Sequence, residues 1–371
     1  MQLLLSEDDL NAFDRSINDV LAAECDSVAL HRFFDGESNL DEMLWARAAE
    51  LGWLGVGLPD AHGGLDMGVQ GLDVIYRALG RSGAPGPFAA TLPAAQWLAD
   101  VADEGLQAEL LPRIIAGDLA LAAPMAAAGS TVILADARLN GVSQPLLSSC
   151  HASLAIVSIE QGGVGGFALV DLDAPGVRFE PIELWDRTRR AGRVVCNNAH
   201  PIAVLPDATG RIGVALFRQL ALAVAADSVG AGRRIADQTV EYLKTREQFG
   251  KPLASFQALK HRAADLMLAL ASAEELVSQA VEATAMQDAH ADMWVDIAKA
   301  AASDAFKLVA EDCVQLHGGV GFTWEFDCHI FLKRALLNLV LSGDNDTRRN
   351  RAAEHLTGAV LAGVSTAELG A

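Results

Sequence analysis

The stretch Arg246-Glu247-Gln248-Phe249-Gly250-Lys251-Pro252, followed by Phe256-Gln257, is the point from which the fold can be read. It divides two long segments whose apolar residues recur every three or four positions. GVALFRQLALAVAADSVGAGRRIADQTVEYLKT precedes it and SFQALKHRAADLMLALASAEELVSQAVEATA follows it. As structure, this is a helix-loop-helix corner, with Gly250 ending one helix and Pro252 opening the next segment. As chemistry, Arg246 offers a planar five-donor fork suited to a phosphate, and Gln257 offers an amide one turn into the next helix.

Downstream, MWVDIAKAAASDAFKLVAEDCVQLHGG predicts a third long helix, and a fourth runs from near Asp327 to about Leu361. Long helices joined by short turns predict a C-terminal four-helix bundle over 207–371. The third helix runs into Gln315-Leu316-His317-Gly318-Gly319-Val320-Gly321-Phe322, a glycine density greater than a helix cap needs. It follows a helix rather than a strand, so it is not a dinucleotide-fold fingerprint. Upstream, residues 119–206 carry short apolar runs such as LAIVSI and GFALVDL, separated by Gly, Pro, Asn and Asp. That texture predicts a middle antiparallel β domain. Residues 1–118 return to helical spacing, in DDLNAFDRSINDVLAAE and NLDEMLWARAAELGWLGVG, and predict an N-terminal α-helical domain.

Composition narrows the function. The 371 residues are 51% hydrophobic, enough for a large core, with a net charge of −20 that disfavours nucleic acid as a partner. Cys25, Cys150, Cys196, Cys313 and Cys328 are scattered, with no C-x-x-C pair, and read as buried thiols rather than a disulfide framework or a metal site. MQLLLSEDDL lacks the features of a signal peptide. The uncharged stretches between Arg81 and Asp100, Asp118 and Asp136, and Arg138 and Glu160 are interrupted by proline, glycine and polar residues, so none reads as a membrane span. A cytoplasmic protein is the resulting expectation.

Together, R-x-Q-F-G…Q and Q-x-x-G-G-x-G in a helical bundle resemble the acyl-CoA dehydrogenase family. The resemblance extends to Gly52-Trp53-Leu54-Gly55-Val56-Gly57-Leu58-Pro59, Leu111-Pro112-Arg113-Ile114 and Phe331-Leu332-Lys333-Arg334. It implies a mainly α fold with a central β domain, FAD as cofactor and an acyl-CoA thioester as substrate. In that family a carboxylate removes the α-proton and the β-hydride passes to the flavin. The resemblance also implies that Arg246, Gln248, Phe249, Gln257, Gln315, Gly318 and Gly319 reach the adenosine and pyrophosphate of a neighbouring subunit's FAD, in an obligate oligomer. An electron-transferring flavoprotein is the usual acceptor.

The sequence departs from the family where the chemistry belongs. The usual base is a Glu before the last helix, and the matching position here is Ser342. A hydroxyl has no suitable pKa for that role. The alternative base position on the helix before the corner falls at about Leu220, where Gln219, Leu220 and Ala221 offer no carboxylate. The two stretches that should border the isoalloxazine read Ala122-Ala123-Pro124-Met125-Ala126-Ala127-Ala128-Gly129-Ser130-Thr131 and Pro145-Leu146-Leu147-Ser148-Ser149, without the family's polar and aromatic groups. The chain therefore resembles the non-catalytic subunit of the α2β2 enzymes that shorten steroid side chains in actinobacteria, and expects a homologous catalytic partner. Two rival readings stand beside it: a self-sufficient homo-oligomer with its base relocated to Asp344, and a non-enzymatic acyl-CoA-binding or scaffold subunit.

Other residues read as structural. His317 is a satisfied histidine inside the glycine turn, and Glu325 a structural acid. Glu180 and Glu183 lie on a solvated face, and Arg187, Arg189 and Arg190 balance nearby acids.

Overall fold

A computed structural model describes residues 5–127, 129–148, 152–324 and 326–364. The N-terminal part is helical: α1 (Glu7–Glu24), α2 (Ser27–Phe34), α3 (Leu40–Glu50), α4 (Gly68–Ser82), α5 (Phe88–Val101) and α6 (Glu104–Ile115). Side-chain caps set several starts. Ser6 accepts from the Asp9 amide at 3.2 Å, Asp26 from Ala29 at 2.8 Å and Asp103 from Leu106 at 2.9 Å. Each satisfies an amide that has no partner inside its helix.

Nine strands follow: β1 (Ala120–Pro124), β2 (Val132–Ala135), β3 (Arg138–Val142), β4 (Leu146–Ser148), β5 (Ala152–Gln161), β6 (Val164–Asp171), β7 (Val177–Ile182), β8 (Arg190–Ala199) and β9 (Ala203–Pro206). The pairings β1-β4-β8-β3-β2-β5 return to β1, so six strands close a ring; β6 and β9 extend from β5, and β7 from β8. Closure removes the exposed edges of the central strands.

The expected antiparallel domain is in fact a mixed sheet. β5 runs parallel to β1 (Leu121↔Leu154) and to β2 (Val132↔Ile159). β1 is buried at every position, which suits a strand covered on both faces. A register shift between Ala120 and Leu121 bends it into the closure.

The bundle comprises α7 (Arg211–Thr245), α8 (Gln257–Ala285), α9 (Ala291–His317), α10 (Cys328–Asn338) and α11 (Asn345–Leu361), with a small hairpin of β10 (Glu247–Gln248) and β11 (Lys251–Pro252) between α7 and α8. The fourth helix is thus broken. Ser342 (φ 59°) and Gly343 (φ 98°) leave helical space, and Asp344 caps the restart.

α7 is the spine of the molecule. Its residues enter a core shared with α1, α3, α4, α8 and α9, and a second shared with α5, α6 and the sheet. By length and composition α7 could cross a membrane, but most of that stretch is buried in the protein. Its crossing with α4 is close: a Cβ at Gly230 would lie 2.1 Å from the Arg77 carbonyl oxygen, and one at Gly80 2.2 Å from that of Asp227.

Candidate functional site

The seven residues assigned to a flavin's adenosine half are all exposed, at one end of the bundle. Arg246 follows the last turn of α7, and its carbonyl accepts from the Leu253 amide at 2.8 Å. Gln248 pairs with Lys251 across the hairpin. Phe249 (φ 56°) and Gly250 (φ 74°) form its two-residue turn, both in left-handed space. A phenylalanine is costly there, and its ring is 91% exposed, touching Phe256 edge-on at 6.2 Å. Gln257 opens α8.

Two contacts bring the glycine turn to this end. Tyr242 stacks on His317 with ring centroids 4.3 Å apart, and Arg262 of α8 holds Asp312 of α9. Gln315 and Gly319 therefore share the end with Arg246. Gly318 takes φ 67°, ψ −144°, a conformation for glycine. A Cβ at Gly319 would meet nothing within 4 Å, so packing does not require glycine at 319 and its backbone faces open space.

The two base positions are filled by structure. Ser342 is buried; its hydroxyl donates to the Phe217 carbonyl at 3.1 Å and accepts from Arg348 Nη2 at 2.7 Å. Its amide donates to the Met125 carbonyl at 2.7 Å, and its carbonyl accepts from Arg348 Nε at 2.9 Å. Arg348 is in turn paired with the buried Asp296. Leu220 and Ala221 lie in the core. Asp344 is exposed and caps α11, accepting from the Thr347 amide at 2.9 Å and hydroxyl at 2.7 Å. These bonds hold its carboxyl below the usual range, which weakens it as a base.

The stretches expected beside an isoalloxazine are paired with each other. Ala123 faces Leu147 and Pro124 faces Leu146 across β1 and β4, with apolar side chains buried. Two nearby polar groups bond within the sheet, Ser130 Oγ donating to the Ser158 carbonyl at 2.5 Å and Gln144 Nε2 to Ser158 Oγ at 2.6 Å, while Gln144 Oε1 is buried without a donor among the described residues. Ala128 and Ser149 lie outside the described residues, as do Cys150 and Glu325.

Where α4, α5, α7, α10 and the entry to β8 meet, only about 10 Å³ of space remains. Asp227 fills the junction between two guanidiniums, with Arg189 Nη2 at 2.8 Å and Arg334 Nε at 3.2 Å, and Asn338 Nδ2 donates to it at 2.9 Å. Burial alone would push the Asp227 carboxyl up, but Arg189 and Arg334 outweigh it and hold the group well below its usual range. Sequence reading named Arg189 and, within the Phe331-Leu332-Lys333-Arg334 match, Arg334, but not Asp227; a polar residue inside an apolar helical stretch is the signal that points to it.

Lys299 was also missed. It is fully buried on α9, and its ammonium donates to the carbonyls of Leu339 at 2.9 Å and Gly343 at 2.7 Å and to Asn345 Oδ1 at 2.9 Å. Burial, then repulsion from Arg348, brings its pKa down to about 7.

Of the residues read as structural, His317 and Arg190 have the expected kind of partner, whereas Arg187 meets a backbone carbonyl rather than an acid. His317 Nδ1 lies 2.8 Å from the Cys313 carbonyl, and burial lowers its pKa. Arg190 lies 3.6 Å from Asp41, and Arg187 donates to the Phe34 carbonyl at 3.0 Å. The four described cysteines are free and buried, and the described residues contain no group of three or more potential metal-ligating side chains.

Two family models match: the acyl-CoA dehydrogenase N-terminal domain over 7–118 and the acyl-CoA dehydrogenase C-terminal domain over 213–357. Acyl-CoA dehydrogenase IpdE2 of Mycobacterium tuberculosis is 30% identical, covering 86% of this chain and 88% of its own. The Tcur3481-Tcur3483 steroid ACAD superposes with TM-score 0.86 at 28% identity, covering 95% of this chain and 99% of that one. The ChsE4-ChsE5 complex from Mycobacterium tuberculosis shares the fold, with TM-score 0.87 at 23% identity, covering 96% of this chain and 99% of that one.

Proposed function

The chain belongs to the acyl-CoA dehydrogenase family, FAD-binding oxidoreductases acting on CH–CH bonds, and from that premise we propose that it is the non-catalytic subunit of a heteromeric member. The observation that carries this reading is Ser342: a hydroxyl stands at the base position, and its polar atoms are bound within the fold. The closed junction around Asp227, which leaves a ring cofactor no room, and the apolar β1–β4 pair support it.

The bundle end fits the other half of the cofactor. In this reading Arg246 neutralises the pyrophosphate of a partner's FAD, while Gln248, Gln257 and Gln315 offer amides to its adenosine. Gly318 and Gly319 let it approach their backbone, and Phe249 packs over it. FAD, when bound, supplies the hydride acceptor. The partner is a homologous chain bearing the carboxylate base, in an α2β2 assembly acting on an acyl-CoA, with a steroid side-chain thioester the class favoured by the steroid enzyme named above. The units 1–118, 119–206 and 207–371 act as its three domains, in the cytoplasm, with an electron-transferring flavoprotein as acceptor.

The FAD-to-chain ratio tests this. The chain purified alone is expected to carry no flavin, and co-expression with a base-bearing relative to give one FAD per heterodimer. One FAD per chain in the isolated protein overturns the proposal.

A further inference from the structure

A hydrogen bond between two histidines joins the second half of α11 to the α8–α9 connection. His290 Nδ1, in that connection, lies 2.9 Å from His355 Nε2 of α11, and the rings meet edge-on with centroids 5.2 Å apart. The first half of α11 is anchored in the interior: Asn345, Arg348 and Ala352 are buried, Arg348 pairs with Asp296, and Lys299 donates to Asn345. Beyond Ala352 no residue of α11 is buried, and His355 makes the only side-chain hydrogen bond among the described residues of 353–361. Ala353 and Leu356, which line a groove with Ile297 and Ala301 of α9, carry no charge, so the pH dependence of this half rests on the histidine pair.

Imidazole is the side chain whose charge changes between about pH 5 and 8. Two rings share such a bond while one facing nitrogen carries a hydrogen and the other does not. Once both rings are protonated, each facing nitrogen is a donor, so the bond is lost and two cations are opposed. The acids around the pair are committed elsewhere: Asp292 to Arg218 of α7 at 3.2 Å, Asp296 to Arg348 and to Arg351 Nε at 3.2 Å, and Asp288 to the His290 amide at 2.6 Å. Glu282, in the last turn of α8, and Glu354, beside His355, are exposed. Arg351, one turn before His355, adds a further positive charge. We propose that this pair is a pH-sensitive latch, closed while the rings share a hydrogen and open when both are protonated, which frees 353–361 from the α8–α9 connection. The stability it adds is present at the upper end of the imidazole range and is lost as the pH falls through it.

Peptide-resolved hydrogen exchange on the full chain tests this at about pH 7 and about pH 5, with rates corrected for the intrinsic pH dependence of amide exchange. That window lies below the one in which Lys299 acts. Protection of 353–361 is expected to fall about fivefold at the lower pH, the loss of one net hydrogen bond, while 345–352 keep theirs. His355→Gln retains a donor and an acceptor without the change of charge, and should hold the protection constant between the two pH values. His355→Ala should lower it at both. Equal protection of 353–361 at the two pH values in the unaltered chain overturns the proposal. So does an equal pH-dependent loss in His355→Gln, or full protection at the higher pH in His355→Ala.

Discussion

Ser342 holds a left-handed backbone that a serine adopts only under constraint, and five hydrogen bonds with Phe217, Met125 and Arg348 supply it. Ser342→Glu therefore places a longer side chain where Arg348 already packs. It is expected to cost about 1–3 kcal/mol in denaturant unfolding and to produce no acyl-CoA-dependent dye reduction. Turnover by that variant alone would revive the homo-oligomer reading. Lys299 makes a second prediction. Its folded pKa of about 7 lies below its ordinary 10.5, so the unfolded chain binds more protons between those values. Stability should then rise as pH increases from about 7 towards 10.5, and that increment is lost below 7. Lys299→Met should flatten this part of the profile. It should also lower stability by about 2 kcal/mol or more, because the Leu339 and Gly343 carbonyls and Asn345 Oδ1 lose their donor.

Among the elements, helical period was legible because one face of each helix packs inward, and α7, α8 and α9 lie within a few residues of where the spacing puts them. The break between α10 and α11 was not legible in the period, because Leu339-Val340-Leu341 continues the apolar pattern; only the resemblance put Ser342 before a last helix. The strands were legible as short apolar runs, whereas the parallel pairing of β5 with β1 and β2 joins strands whose proximity only the closed ring imposes. The α4–α7 crossing yields a test at this scale. Gly230→Ala puts a methyl group against the Arg77 carbonyl, so the helices must separate. The expected loss is about 1–3 kcal/mol, read from the thermal midpoint. An unchanged midpoint would mean that the crossing is looser than 2.1 Å implies.

At the scale of the whole molecule, the bundle end and the junction around Asp227 make opposite statements. The junction is filled by Asp227, Arg189 and Arg334, while the bundle end displays Phe249 at 91% exposure and glycines facing open space. The exposed ring and the open backbone beside it suit the interface proposed for this end. Gly319→Val should leave the isolated chain's thermal midpoint unchanged, because its Cβ meets nothing. In the co-expressed complex it should lower retained flavin several-fold, measured by absorbance after gel filtration. Full retention would place the flavin elsewhere.

Two motifs and the absence of a carboxylate at Ser342 and Leu220 could be read from residues alone, because a missing functional group is missing in any fold. The bundle and the extended runs of the middle segment were likewise written in local periodicity, while the candidate flavin contacts came from the family resemblance of the two motifs. Only the tertiary structure decided that Asp227, Arg189 and Arg334 close the junction, that Lys299 ties α9 to the broken helix, and that His290 meets His355. Those groupings join residues far apart in the chain. Desolvation and hydrogen-bond satisfaction select them only once the domains have packed, and neither leaves a period in the sequence.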